Sequence, residues 1–158
     1  MNYLIYTLLC LMLSGCYTFT GTTLPSHLKT IRVKQVINKT LDPLLAEKLT
    51  QSIIDGFQSK STLRAVNEQG HCELFTVLKS YSHEPYNTSG LDVVDYQINM
   101  VVSVQFMDKV KDKLIFEEEN LPGFGTYSIS KGQTENDGQK MAMNNIVDLI
   151  IDNTISGW

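Results

Sequence analysis

The chain has 158 residues, a formal net charge of −4 and 42% hydrophobic residues, which suits one compact domain and argues against nucleic acid as a partner. Of its three cysteines only Cys72 lies beyond residue 16, so an internal disulfide framework is excluded once the N-terminal segment is removed. No long internal repeat and no low-complexity tract is present.

Met1 to Gly15 carries no charged side chain. Its apolar run of about 11 residues is shorter than the roughly 17–25 needed to cross a bilayer, and suits the hydrophobic region of a secretory signal. The Lys or Arg that usually opens such a signal is missing. Leu13-Ser14-Gly15-Cys16 resembles a bacterial lipobox, in which the cysteine thiol takes a diacylglycerol, the signal is cut before it, and the new amine is acylated. The expected organisation is a signal peptide over residues 1–15, a lipidated N-terminus and short tether over 16–28, and a single domain over 29–158. Cys16 is the expected membrane attachment, carrying N-acyl and S-diacylglycerol groups. Each buried methylene contributes about 0.8 kcal/mol, and more than one chain gives stable anchoring.

"TIRVKQVIN" places Ile31, Val33 and Ile37 on one parity and Arg32 and Lys34 on the other, the pattern of a half-buried strand. Asn38 to Asp42 turns the chain. "DPLLAEKLTQSIIDGFQSK" predicts a helix with Asp42 as cap and Pro43 at the first helical position. Leu45, Leu49, Ile53 and Phe57 give it one apolar stripe, which is core packing. "TLRAV" reads as a short strand and "CELFTVLKSY" as a longer one, followed by a Pro-, Asn-, Ser- and Gly-rich loop, Pro85 to Asp92.

"VDYQINMVVSVQF" is the clearest signal. Val94, Tyr96, Ile98, Met100, Val102, Val104 and Phe106 share one parity; Asp95, Gln97, Asn99, Ser103 and Gln105 take the other, broken only by Val101. This predicts a long strand with one wet face. "MDKVKDK" is a charged turn, "LIFEEEN" the return strand, and Leu121 to Gly132 an irregular loop. A second helix starts at Thr134, with Asp137 as a capping signal, and ends at Gly157-Trp158; Ala142, Ile146, Leu149 and Ile150, with Asn153 as the break, mark its inner face. The expected fold is α+β, a two-layer sandwich with two helices packed on one face of a mostly antiparallel, mixed sheet of about four strands.

Nothing in the chain assembles a catalytic set. His27, His71 and His83 lack the spacing of a zinc motif, and the neighbours His71 and Cys72 point to opposite faces of a strand. No Gly-x-Ser-x-Gly elbow or Gly-rich phosphate loop occurs, and Glu117 to Glu119 read as a solvated strand end. No enzyme activity, metal or cofactor is expected.

The order of motifs resembles the LPS-assembly lipoprotein E (LptE) family. It runs from Cys16 through "YTFTG", Leu24-Pro25 and "KTIRVKQVIN" to "DPLLAEKLTQSI", "CELFTVLKSYSHEP", "VVDYQINMVVSVQFMD" and the closing helix with its terminal Trp158. The resemblance spans residues 13 to 158 and rests on the order of motifs, none of them specific alone. It implies a non-catalytic lipoprotein on the periplasmic side of the outer membrane. Such a protein would plug and stabilise an LptD-like translocon β-barrel and assist lipopolysaccharide assembly. Tyr17, where an inner-membrane-retained enterobacterial lipoprotein often has Asp, fits that location.

A lipopolysaccharide contact needs cations beside apolar surface. Arg32 and Lys34 on the first strand, and Lys109, Lys111 and Lys113 at the hairpin turn, are the candidates; solubility is the competing explanation for each group. Tyr86, Phe124 and Tyr127, on the two long loops, are the candidate barrel contacts. The alternative function is a lipoprotein that regulates a periplasmic enzyme or serves a secretion or fibre pore. About 13 residues between Cys16 and the first strand reach at most ~47 Å, which keeps the domain near its membrane.

Overall fold

The computed structural model describes residues 24–89 and 92–156. Cys16, the lipobox, Tyr17 and Trp158 lie outside them. The elements are β1 (Thr30–Val33), β2 (Ile37–Asn38), α1 (Leu45–Lys60), β3 (Arg64–Ala65), β4 (Cys72–Ser89), β5 (Asp92–Asp108), β6 (Lys113–Ser128), a short 3-10 helix (Ile129–Lys131) and α2 (Glu135–Ser156). The fold is α+β, as expected. The sheet has six strands rather than about four, in the order β3-β1-β4-β5-β6 with β2 also on β4. The three short strands pair in parallel, and β4, β5 and β6 form an antiparallel meander.

The long alternating segment becomes β5 with the expected face inward: Ile98, Met100, Val102 and Phe106 are fully buried. The α1 stripe behaves likewise, with Leu45, Leu49, Ile53 and Phe57 each at 0% exposure. Burying such a side chain contributes about 1.5–3 kcal/mol. On α2 the buried set is broader than the predicted one. Met143, Val147 and Ile151 join Ala142, Ile146 and Ile150, because α2 packs on both the sheet and α1, while Leu149 is only partly covered. The helix runs to Ser156, next to its expected end at Gly157.

Several boundaries differ from the sequence expectation. The first strand divides in two. Val36, not Ile37, enters the core, its N–H donating to Thr50 Oγ1 at 3.0 Å, and Ile37 is left 59% exposed. Helix α1 begins at Leu45, and Asp42 acts just outside it, accepting the Leu44 N–H at 2.9 Å instead of capping the helix. At α2 the expected cap is present: Thr134 N–H and Oγ1 both donate to Asp137 Oδ2 at 2.8 Å.

The two expected loops are largely strand. Pro85 to Ser89 continues β4, paired with β5 across bulges, and Leu121 to Ser128 completes β6. The glycines of "LPGFG" serve close packing. A Cβ on Gly123 would lie 2.3 Å from Ile146 Cγ1, and one on Gly125 2.2 Å from the carbonyl oxygen of Gly138. Helix α2 therefore rests directly on the β6 backbone. It also takes two outward N–H groups of this edge strand, Phe124 to Asn145 Oδ1 and Thr126 to Met141 Sδ. Lower on the same edge, Glu117, Glu118 and Glu119 are exposed and charged, which discourages edge-to-edge pairing.

Candidate functional site

The two helices cover one face of the sheet, and among the described residues no element covers the other. Register places Phe75, Val77, Val101, Pro122 and Phe124 on this open face, interleaved with Gln97, Asn99, Ser103 and Gln105. Ile37 joins it opposite Val77. Phe124 is 58% exposed, so this candidate contact is available. It stands on a strand flank instead of a loop. Tyr86 is also exposed, near the far end of the β4–β5 hairpin.

Tyr127 is not available. It points to the helix side at 7% exposure, stacked on Tyr96 with ring centroids 5.3 Å apart. It also bonds His83 Nε2 at 2.9 Å. Alternation explains the difference, because Phe124 and Tyr127 are three positions apart on one strand and must face opposite ways. Around Tyr127, Tyr81 donates to Glu135 Oε1 at 2.5 Å and accepts from Gln139 Nε2 at 3.2 Å. Burial first, then that bond, pushes the Tyr81 hydroxyl up to about 12. These groups tie the upper sheet to the first turn of α2, which is a structural duty.

Arg32 and Lys34 are brought together but are already engaged. Both reach Glu73 Oε1, at 3.3 and 3.4 Å, and the Lys34 ammonium lies 5.7 Å from the centre of the Phe75 ring. They hold the β1 border of the open face. A ligand anion would have to displace Glu73 from them.

The other basic group is differently placed. Lys109, Lys111 and Lys113 surround the β5–β6 turn, with Val110 57% and Leu114 44% exposed beside them. Lys109 pairs loosely with Asp112 at 3.8 Å, while Lys111 and Lys113 make no ion pair among the described residues. Asp108 builds the turn. Its Oδ1 accepts the N–H groups of Val110 and Lys111 at 2.9 and 3.0 Å, and its Oδ2 bonds His27 Nε2 at 2.6 Å. Burial alone would raise this carboxyl, but the His27 bond and the two amides outweigh it and hold Asp108 below the usual carboxylate range. His27 belongs to the first described turn, closed by Leu28 N–H on Pro25 oxygen at 2.9 Å. The segment arriving from Cys16 is thus latched to the basic hairpin.

Sequence reasoning missed a third feature. Lys39, Thr40, Leu41, Asp42, Lys79, Ser80 and Tyr81 line an open groove of about 530 Å³. It forms where β4 bulges between Leu78 and Ser80. Lys79 reaches across β5 to the Glu119 carbonyl at 3.1 Å and Asn120 Oδ1 at 3.0 Å. No local pattern announces a bulge here. Cys72, the free thiol, is fully buried, and burial followed by the charge of Asp108 pushes it up to about 12, so it is inert. Among the described residues no group of three or more His, Cys, Asp or Glu is placed to hold a metal ion.

The geometry defines a class: an α+β sandwich whose sheet, among the described residues, has one uncovered face. No family model matches the chain, and no curated protein matches it by sequence. Solved structures do share the fold. Protein XCC0632 from Xanthomonas campestris has a TM-score of 0.58 at 9% identity, over 86% of this chain and 91% of that one. An uncharacterized lipoprotein B from Nitrosomonas europaea has a TM-score of 0.57 at 10% identity, over 85% and 86%. PelC from Paraburkholderia phytofirmans, solved as a dodecamer, has a TM-score of 0.54 at 12% identity, over 85% and 93%. The chain therefore has a fold found in bacterial lipoproteins. No described helix is long and apolar enough to cross a membrane.

Proposed function

We propose that this protein is a non-catalytic lipoprotein, anchored through Cys16 to the periplasmic side of the outer membrane. It acts by docking its domain on a large β-barrel translocon and assisting lipopolysaccharide assembly. The observation that carries this reading is the bare sheet face, where Phe124, Pro122, Val101 and Val77 stand among amides and hydroxyls. A mixed face of this kind suits a partner with a few aromatic anchors and many neutral contacts. The order of motifs along the chain, which resembles the LptE family, supports an LptD-like barrel as that partner. The likeness to a dodecameric PelC favours one second reading, a ring-forming subunit of a secretion or fibre pore.

Solubilising the tagged full-length protein and measuring the mass and composition of its complex tests both. A complex with one barrel, lost in Phe124→Asp, supports the first reading, and depletion should then reduce folded barrel and surface lipopolysaccharide. A homo-oligomeric ring without a barrel moves the pore reading ahead. Cys16→Ser should lose its acyl groups by mass and leave the membrane fraction.

A further inference from the structure

We propose that the β5–β6 hairpin is a membrane-contact element that lies against the anionic phospholipid headgroups of the leaflet holding Cys16. This rests on the anchoring stated above and adds a second, protein-made contact to it.

Three observations converge. The first is place. Leu24 begins the described chain eight residues after Cys16, a lead of at most about 29 Å. His27, three residues on, is held 2.6 Å from Asp108 at the base of the hairpin. The lead thus enters the domain at the hairpin, and a domain drawn to its membrane presents this end first. The second is chemistry. Val110 is exposed between Lys109 and Lys111, and Leu114 directly after Lys113, a spacing that lets apolar groups enter the headgroup layer while ammonium groups meet phosphates. The backbone of Lys29 lies toward the same end, since His71 links it to that of Lys109 through 3.2 and 2.8 Å bonds, and its carbonyl accepts the Arg64 N–H at 3.0 Å. Glu68 and Asp112 are exposed acids toward this end, Asp152 stands one turn before Ile155, which shares a pocket with Leu24 and Lys60, and Asp108 is buried on His27. The local balance is basic in a protein of net charge −4.

The third is rigidity. Asp108 fixes the turn through two amides, Asp112 adopts φ 50, and β5 and β6 pair down to Asp108 and Lys113. The hairpin needs no ordering on contact, so little conformational entropy opposes it. Seated this way, the domain stands on its hairpin and the bare sheet face rises from the membrane beside it. That posture leaves the face open to a protein partner in the same bilayer.

The test uses the full-length protein reconstituted into phosphatidylcholine vesicles with and without phosphatidylglycerol, with a polarity-sensitive fluorophore on Val110→Cys. The inert Cys72 stays unlabelled. The label should shift to the blue and be quenched by brominated lipid in the anionic vesicles, while a label on Leu41→Cys, fully exposed in the turn before α1, should remain in water. Each lysine near an anionic surface strengthens partitioning about fivefold. Lys111→Gln with Lys113→Gln should therefore weaken hairpin engagement roughly twentyfold, with an unchanged circular dichroism spectrum. The mass of Cys16 keeps the two readings apart. A free Cys16 overturns the anchoring, and the hairpin is then judged by the same label on Val110→Cys in a Cys10→Ser, Cys16→Ser chain added to anionic vesicles. A Val110 label that stays in water, or that buries equally without anionic lipid or without the two lysines, overturns the hairpin contact.

Discussion

Gly125→Ala adds one methyl group, and the structure says where it goes. The new Cβ would stand 2.2 Å from the Gly138 carbonyl oxygen, 2.7 Å from Ala142 N and 2.9 Å from Met141 Cβ. Comfortable contacts lie near 3.5–4.0 Å, so α2 must retreat by roughly 1 Å, and two of the opposing atoms are helix backbone that no rotamer change can move. Overpacking of this kind costs about 1–3 kcal/mol. The retreat also loosens Ala142 and Ile146, both at 0% exposure, which places the cost near the top of that range. Loss of glycine's freedom in the unfolded chain offsets about 0.5–1 kcal/mol, leaving a net destabilisation of about 2–3 kcal/mol. Gly132→Ala is the control. Its φ is 71° with nothing within 4 Å of an added Cβ, so only the left-handed backbone resists, at about 1–2 kcal/mol before the same offset. Urea unfolding of both variants, with unchanged slope, should give a lower midpoint for Gly125→Ala, and its thermal midpoint should fall by about 6–10 °C. Equal, small effects would refute the direct seating of α2 on β6.

Two further outcomes follow from the core and the latch. Ile98→Ala, at a fully buried site beneath α2, should cost about 2–5 kcal/mol, whereas Asn99→Ala on the bare face should cost under about 1 kcal/mol in the same assay. Asp108 is held below the ordinary carboxylate value, so its contribution is complete above about pH 3.9 and is lost as pH falls through the folded value. Asp108→Asn should therefore lower stability at neutral pH by about 1–3 kcal/mol and flatten the acid limb of the stability–pH curve; an acid limb of unchanged steepness would show that the His27 latch contributes nothing there.

The sequence by itself determined the elements whose pattern is local and long. The strict alternation from Val94 to Phe106 and the four-residue stripe of α1 each reappear with the predicted face buried. The reason is that periods of two and of about four state which side is wet without reference to any neighbour. The same applies to the α2 cap, made by Thr134 and Asp137 within one turn.

The tertiary structure decided whatever depended on a second element. "LPGFG" carries turn residues yet is strand, because its glycines admit α2 to within contact of the backbone, and that requirement belongs to the helix 13 to 23 residues away in the chain. "EPYNTS" is strand because β5 supplies its partners. Of the candidate contacts, Phe124 and Tyr86 proved exposed and Tyr127 buried, a division set once β4 continued through Tyr86 and β6 through Phe124 and Tyr127. Arg32 and Lys34 were legible as cations but not as a pair spent on Glu73. The basic hairpin was legible as charge; only the fold brought it against His27 and the lead from Cys16, since Asp108 and His27 lie 81 positions apart and nothing local joins them.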